Sequence, residues 1–109
     1  MGSKYDRAYR YLKDMYADKY YPKFLVDRLK SELERVVAWL EMGEHDAEEI
    51  QAEFDRMTKA INNLADVFYE NDSEIETNAR NAIAIDVINI IKYFGLPIKV
   101  DEALRLRTW

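Results

Sequence analysis

The apolar side chains near the start of the chain fall at Tyr5, Tyr9, Leu12 and Tyr16, a 4-3-4 spacing that puts them on one helical face. This predicts a first helix from Lys4 to about Ala17. Its stripe is mostly tyrosine, which tolerates a half-wet boundary, so the helix is expected on the outside of its neighbours. Asp18 to Tyr21 reads as a connector. Pro22 suits the first position of a helix, where a missing N–H costs nothing, and Leu25, Leu29, Leu33, Val36 and Leu40, flanked by Val26 and Val37, form the buried seam of helix two. Trp39 stands at the edge of that seam as a cover for the core, and Gly43 is placed to end the helix in a left-handed cap.

Asp46 is a candidate N-cap for helix three, with Glu48 and Glu49 facing the positive end of the helix dipole. Ile50, Phe54, Met57, Ile61, Leu64 and Phe68 then repeat at 4-3-4-3-4, a heptad seam that predicts shallow-angle bundle packing until about Glu70 to Asp72. Ser73 and Glu76 match the S-x-x-E capping box and predict the start of helix four. Between Ile75 and Phe94 apolar residues spread over more than half of the helix circumference, which predicts the central, most buried helix. Gly95 and Pro97 end it, and Asp101 is placed to cap a last short helix through about Arg107. The expected fold is therefore all-α: one domain over 1–109, a four-helix bundle with a central hydrophobic fourth helix and a short C-terminal helix.

The 109 residues are 49% hydrophobic and 34% charged, with three Gly and two Pro, which suits one compact helical core rather than disorder. The lack of cysteine removes disulfides and thiolate metal sites from consideration. No apolar run has the roughly 18 residues needed to cross a bilayer and no signal-peptide pattern opens the chain, so a cytoplasmic, membrane-free location is expected.

The net charge of −5 argues against nucleic acid as a partner. The charge is unevenly spread: residues 1–30 hold eight Lys/Arg against four Asp, residues 31–79 three against fourteen acids, and residues 80–109 five against three. The basic first helix is expected to lie against the acidic third, and the excess acid on helices two and three makes a face for a cationic protein partner.

Three stretches carry a family resemblance: Asp14-Met15-Tyr16 with Tyr20-Tyr21-Pro22 and Leu25-Val26-Asp27; Ser73 to Thr77 with Ala79-Arg80; and the terminal Trp109. Together they resemble a family of small bacterial all-helical proteins catalogued only as a domain of unknown function. The resemblance runs over nearly the whole chain, with little to match in residues 43–70. Asn81 and Thr108 stand where that family's pattern has acids. The likeness implies a helical fold and a bacterial origin and supplies no reaction.

Several residues could carry chemistry. Glu76 and Arg80 lie one turn apart on helix four, with Arg80 expected to project from the apolar face, either in a structural ion pair or as an anion-binding group. Tyr20 and Tyr21 fall in the connector and Tyr11 off the first stripe, which makes them candidates for a contact surface. Glu49 and Glu53, with Glu48 beside them, and Asp86, with Asn89, offer a carboxylate set across helices three and four of the type that binds Mg²⁺ in all-helical nucleotide pyrophosphohydrolases. His45 is a lone loop histidine without a nucleophile partner. The leading functional expectation is a non-catalytic binding protein of the bacterial cytoplasm that uses the acidic helical face and needs no cofactor. The alternative is a metal-dependent hydrolase built on the helix three and four acids. Self-association through an exposed Trp39 or Trp109 is a further possibility for assembly.

Overall fold

The computed structural model describes Tyr5 and residues 8–109. Its elements are α1 (Lys13–Tyr16), α2 (Lys23–Glu41), α3 (Ala47–Glu70), α4 (Thr77–Phe94) and α5 (Val100–Ala103). The all-α bundle is as expected. Every predicted seam residue of α2 and α3 is buried, from Leu25 to Leu40 and from Ile50 to Phe68. The Pro22 carbonyl accepts the N–H groups of Leu25 and Val26 at 3.0 and 3.1 Å, so Pro22 stands just outside α2 as its N-cap. Met42 closes α2 in a right-handed conformation and Gly43 follows at φ 151°, a positive angle that favours glycine but lies outside the left-handed helical well of the expected cap. At α3 the expected cap does form and closes into a box: Glu49 N–H donates to Asp46 Oδ1 at 2.8 Å, and Asp46 N–H donates to Glu49 Oε1 at 3.0 Å.

The first helix is far shorter than its periodicity predicts. The Lys4 start lies outside the described residues, and residues 8–12 are irregular, with Leu12 left-handed at φ 52° and ψ 40° before one helical turn. That turn packs on α4 and α2, not on the acidic α3, which corrects the expected basic-against-acidic pairing. In its place, α3 packs against α2 and α5.

At α4 the Ser73–Glu76 capping box is absent. The helix begins at Thr77, the Glu76 side chain caps nothing, and Glu76 instead receives the Tyr21 hydroxyl. Ser73 Oγ is buried without a hydrogen-bond partner among the described residues. The far end forms as expected: Gly95 is left-handed at φ 61°, and Leu96 N–H donates to the Ile91 carbonyl at 3.0 Å, the closing bond of a Schellman cap. α4 packs against α1, α2 and α5. It keeps a wet stripe through Arg80, Asn81, Ile85 and Lys92, with Ile85 52% exposed. Among the described residues, no helix is long and apolar enough to cross a membrane.

α5 begins ahead of Asp101, with Lys99 N–H donating to Glu102 Oε1 at 2.9 Å. The tail beyond it lies along α3. The Thr58 hydroxyl meets the Ala103 carbonyl at 3.0 Å, Asn62 donates to the Leu106 carbonyl at 2.9 Å and accepts from Thr108 N–H at 3.1 Å, and Arg105 bonds the Asp55 carboxylate at 2.7 and 3.1 Å.

Candidate functional site

Asp86 is the buried carboxylate of the molecule's N-terminal side. It sits in the aliphatic run of α4, is 3% exposed, and has no ion-pair partner among the described residues. Two donors from the irregular segment satisfy it: the Tyr9 hydroxyl reaches Oδ1 at 2.5 Å and Leu12 N–H reaches Oδ2 at 2.7 Å. Asn89, one turn further along α4, donates to the Tyr9 oxygen at 2.8 Å. Burial pushes the Asp86 carboxyl above its ordinary range, against the two hydrogen bonds that favour its charged form. Burial, with Asp86 behind it, likewise lifts the Tyr9 phenol to about 12.

The three acids of the proposed metal set are therefore engaged separately. Glu49 belongs to the α3 cap and stands 3.9 Å from His45, Glu53 is held by Arg56 at 2.8 Å, and Asp86 is closed beneath Tyr9. Among the described residues no three His, Asp or Glu side chains converge as metal ligands. Part of the acidic face is also neutralised within the chain. Arg56 bridges Glu32 at 3.0 Å and Glu53, and Arg105 holds Asp55 and keeps its carboxyl below the ordinary range.

The tyrosine candidates divide. Tyr20 is 45% exposed, whereas Tyr21 is 2% exposed and Tyr11 is buried, so both of these belong to the core and not to a contact surface. Tyr20 and Tyr21 meet edge to face at 5.1 Å. Arg80 does not project from the buried face: it is exposed and donates to Thr77 Oγ1 at 3.0 Å, not to Glu76. Neither tryptophan stands free for self-association. Trp39 is half-buried and stacks on His45 at 3.5 Å, its carbonyl 2.9 Å from His45 Nε2, and Trp109 is half-buried beneath the Arg107 guanidinium with its indole nitrogen enclosed.

A second concave region lies at the end of the bundle where α2 and α4 finish. A cavity of about 420 Å³ opens there, walled by Leu40, Ile50, Phe94 and Leu96 and edged by Glu41, Glu44 and His45, with no Lys or Arg in its lining among the described residues. Glu41 accepts Tyr5 N–H at 2.5 Å. The turn around it, residues 41–49, carries Glu41, Glu44, Asp46, Glu48 and Glu49 against a single histidine. Helix C-termini expose carbonyls and carry partial negative charge, so the two helix ends add to these carboxylates. Sequence reasoning found the acids of helices two and three but not this hollow, because it depends on where α4 stops relative to α2.

No curated protein and no solved structure matches the chain. The resemblance read from the Tyr-Tyr-Pro, Ser-Glu-Ile-Glu and terminal Trp stretches is borne out at the level of the family: a model described as a family of unknown function, DUF5713, matches residues 5–109, and the chain belongs to that family.

Proposed function

We propose that this is a non-catalytic binding protein of the bacterial cytoplasm that receives a lysine or arginine side chain of a cationic protein partner. The receiving site is the acidic end cavity between α2 and α4. The observation that carries this reading is the composition of that cavity: an apolar wall, two carboxylates and a histidine at its rim and two helix C-termini, with no Lys or Arg among the described residues of the lining. A long cationic side chain has an apolar stem and a charged head, so it matches both parts at once. The acids in the middle of the α2–α3 face are tied to Arg56 and Arg105, which leaves the 41–49 turn as the richer attraction for a cation.

Trp39 provides the readout, since it stacks on His45 and His45 borders the cavity. In a Trp109→Phe background, titration with a short oligolysine peptide is expected to change Trp39 emission, with an affinity that falls steeply as salt rises. Glu44→Gln should weaken binding several-fold, and Glu70→Gln, an exposed acid on the last turn of α3, should leave it unchanged. Equal loss in both variants, or unchanged Trp39 emission, would remove the proposal.

A further inference from the structure

The irregular N-terminal segment and the cations it carries have a role that the acidic end cavity does not absorb. Its bonds tie it to Asp86 on α4 and Asp27 on α2, and a hollow is left on each side. The hollow towards α4, about 470 Å³, is bordered by Asp14, Asp86 and Ile85. The one towards α2, about 500 Å³, is bordered by Tyr11, Tyr16 and Lys30. Tyr9, Arg10 and Lys13 line both. These volumes fall within the roughly 300 to 1,000 Å³ of small-molecule sites.

The α2-side hollow has a distinct chemistry. Arg10, Lys13 and Lys30 converge on it and no carboxylate is in its lining among the described residues. None of these three cations makes an ion pair among the described residues. Of the acids around it, Asp27 accepts the Tyr16 hydroxyl at 2.5 Å, and Glu34 acts on Tyr11 and Tyr16 from outside the lining. In a chain of net charge −5, a concave cluster of three unneutralised cations is the local exception. It exists because α1 packs on α4 and α2 and is not drawn against the acids of α3.

The half-buried phenol rings of Tyr9 and Tyr16, backed by the buried Tyr11, supply the rest of the surface. Tyr9 and Tyr11 meet edge to face, with centroids 5.1 Å apart. The Tyr9 hydroxyl is fixed by Asp86 and Asn89, and the Tyr16 hydroxyl by Asp27. The rings are therefore held in place and offer faces and edges to a planar guest. A guanidinium fork suits a carboxylate or phosphate, and two lysines add point charges around it.

We propose that the hollow between residues 9–17 and α2 is a binding site for a small aromatic anion, with Arg10, Lys13 and Lys30 taking the charge and Tyr9 and Tyr16 packing the ring. The site is independent of the acidic end cavity and of its cationic partner. The α4-side hollow, edged by Asp14 and Asp86, disfavours the same anion.

The test is a titration of the full chain with benzoate, followed by backbone amide shifts in NMR, with benzyl alcohol as the neutral match and cyclohexanecarboxylate as the non-aromatic anion. Benzoate is expected to move the amides of residues 9–17 and those around Lys30. Arg10→Gln and Lys13→Gln, both exposed and so compatible with folding, should each weaken binding about fivefold. Lys59→Gln on α3 should leave binding unchanged. The site is overturned by an absence of shifts at about 10 mM benzoate, by equal binding of benzyl alcohol, or by unchanged affinity in the two groove variants. Equal binding of cyclohexanecarboxylate would overturn the assignment of an aromatic guest.

Discussion

The Tyr9 hydroxyl and the Asp86 carboxylate meet at 2.5 Å across 77 positions of sequence, and this contact explains why the chain before Lys13 is not helical. In a helix, Leu12 N–H would be spent on the carbonyl four residues earlier. Here it is delivered to Asp86 at 2.7 Å. A buried carboxylate without an ion-pair partner needs such donors, because leaving it unpaired costs more than a left-handed leucine, about 1 to 2 kcal/mol.

Tyr9→Phe keeps the ring and removes the donor. Asp86 Oδ1 and the Asn89 amide then lose their partner in a partly buried setting, so a destabilisation of about 1 to 3 kcal/mol is expected in urea unfolding. Hydrogen exchange at Leu12 N–H should quicken well beyond exchange at the α3 core. A variant as stable as the parent, with Leu12 equally protected, would show that the contact does not hold the segment.

The same carboxylate gives a pH signature. Burial raises its folded pKa above the ordinary 3.8, so the folded protein binds an extra proton between 3.8 and that higher value. Its contribution to stability is complete below 3.8 and is lost as pH climbs through the folded value. Asp55, lowered chiefly by Arg105, acts in the opposite sense: its contribution holds above 3.8 and fades as pH falls through its folded value. In Asp86→Asn the first component disappears, while the loss of one acceptor adds a constant offset. Plotted against pH, the stability of the parent should therefore fall relative to Asp86→Asn as pH rises from below 3.8. Parallel curves would contradict the raised pKa.

Gly95 offers a test free of packing effects. It is left-handed at φ 61°, and a Cβ built there meets nothing within 4 Å. Gly95→Ala should thus show only the backbone penalty, about 1 to 2 kcal/mol. Gly95→Asn should recover part of it, since asparagine tolerates the left-handed region. Calorimetry of the two variants checks the order; an alanine variant as stable as the parent would mean that the helix end rearranges.

What was legible in the sequence was whatever depends on one element at a time. The seams of α2 and α3 could be read because every third or fourth residue from Leu25 to Leu40 and from Ile50 to Phe68 is apolar, and the Asp46 cap and Gly95 terminus because their motifs are local. The first helix and the Ser73–Glu76 box were misread because distant groups outbid the local ones. Asp86 claims the Tyr9 hydroxyl and the Leu12 amide, and Glu76 is turned to Tyr21. The signal for the first was present as a lone Asp between Ile85 and Val87, which reads as a metal ligand until the donors from residues 9 and 12 are seen to cover it. The three hollows left no mark in the sequence, since each depends on how one element lies against another.

The C-terminal tail depends on Asn62 in a way that separates local from global stability. Its amide donates to the Leu106 carbonyl and its oxygen accepts from Thr108 N–H, so one side chain closes both sides of the tail against α3. It is half-buried, with core residues Ile61 and Leu64 on the adjoining face. Asn62→Ala should therefore loosen residues 106–109 while lowering global stability by only about 1 kcal/mol. Trp109, enclosed at its indole nitrogen, should become more exposed, with red-shifted emission in a Trp39→Phe background, and cleavage by trypsin after Arg107 should accelerate. Thr58 and Arg105 still hold Ala103 and the start of the tail, so α5 itself should stay protected in hydrogen exchange. Loss of protection in α5 together with the tail would show that the two form one unit, clasped by Asn62 rather than by Thr58.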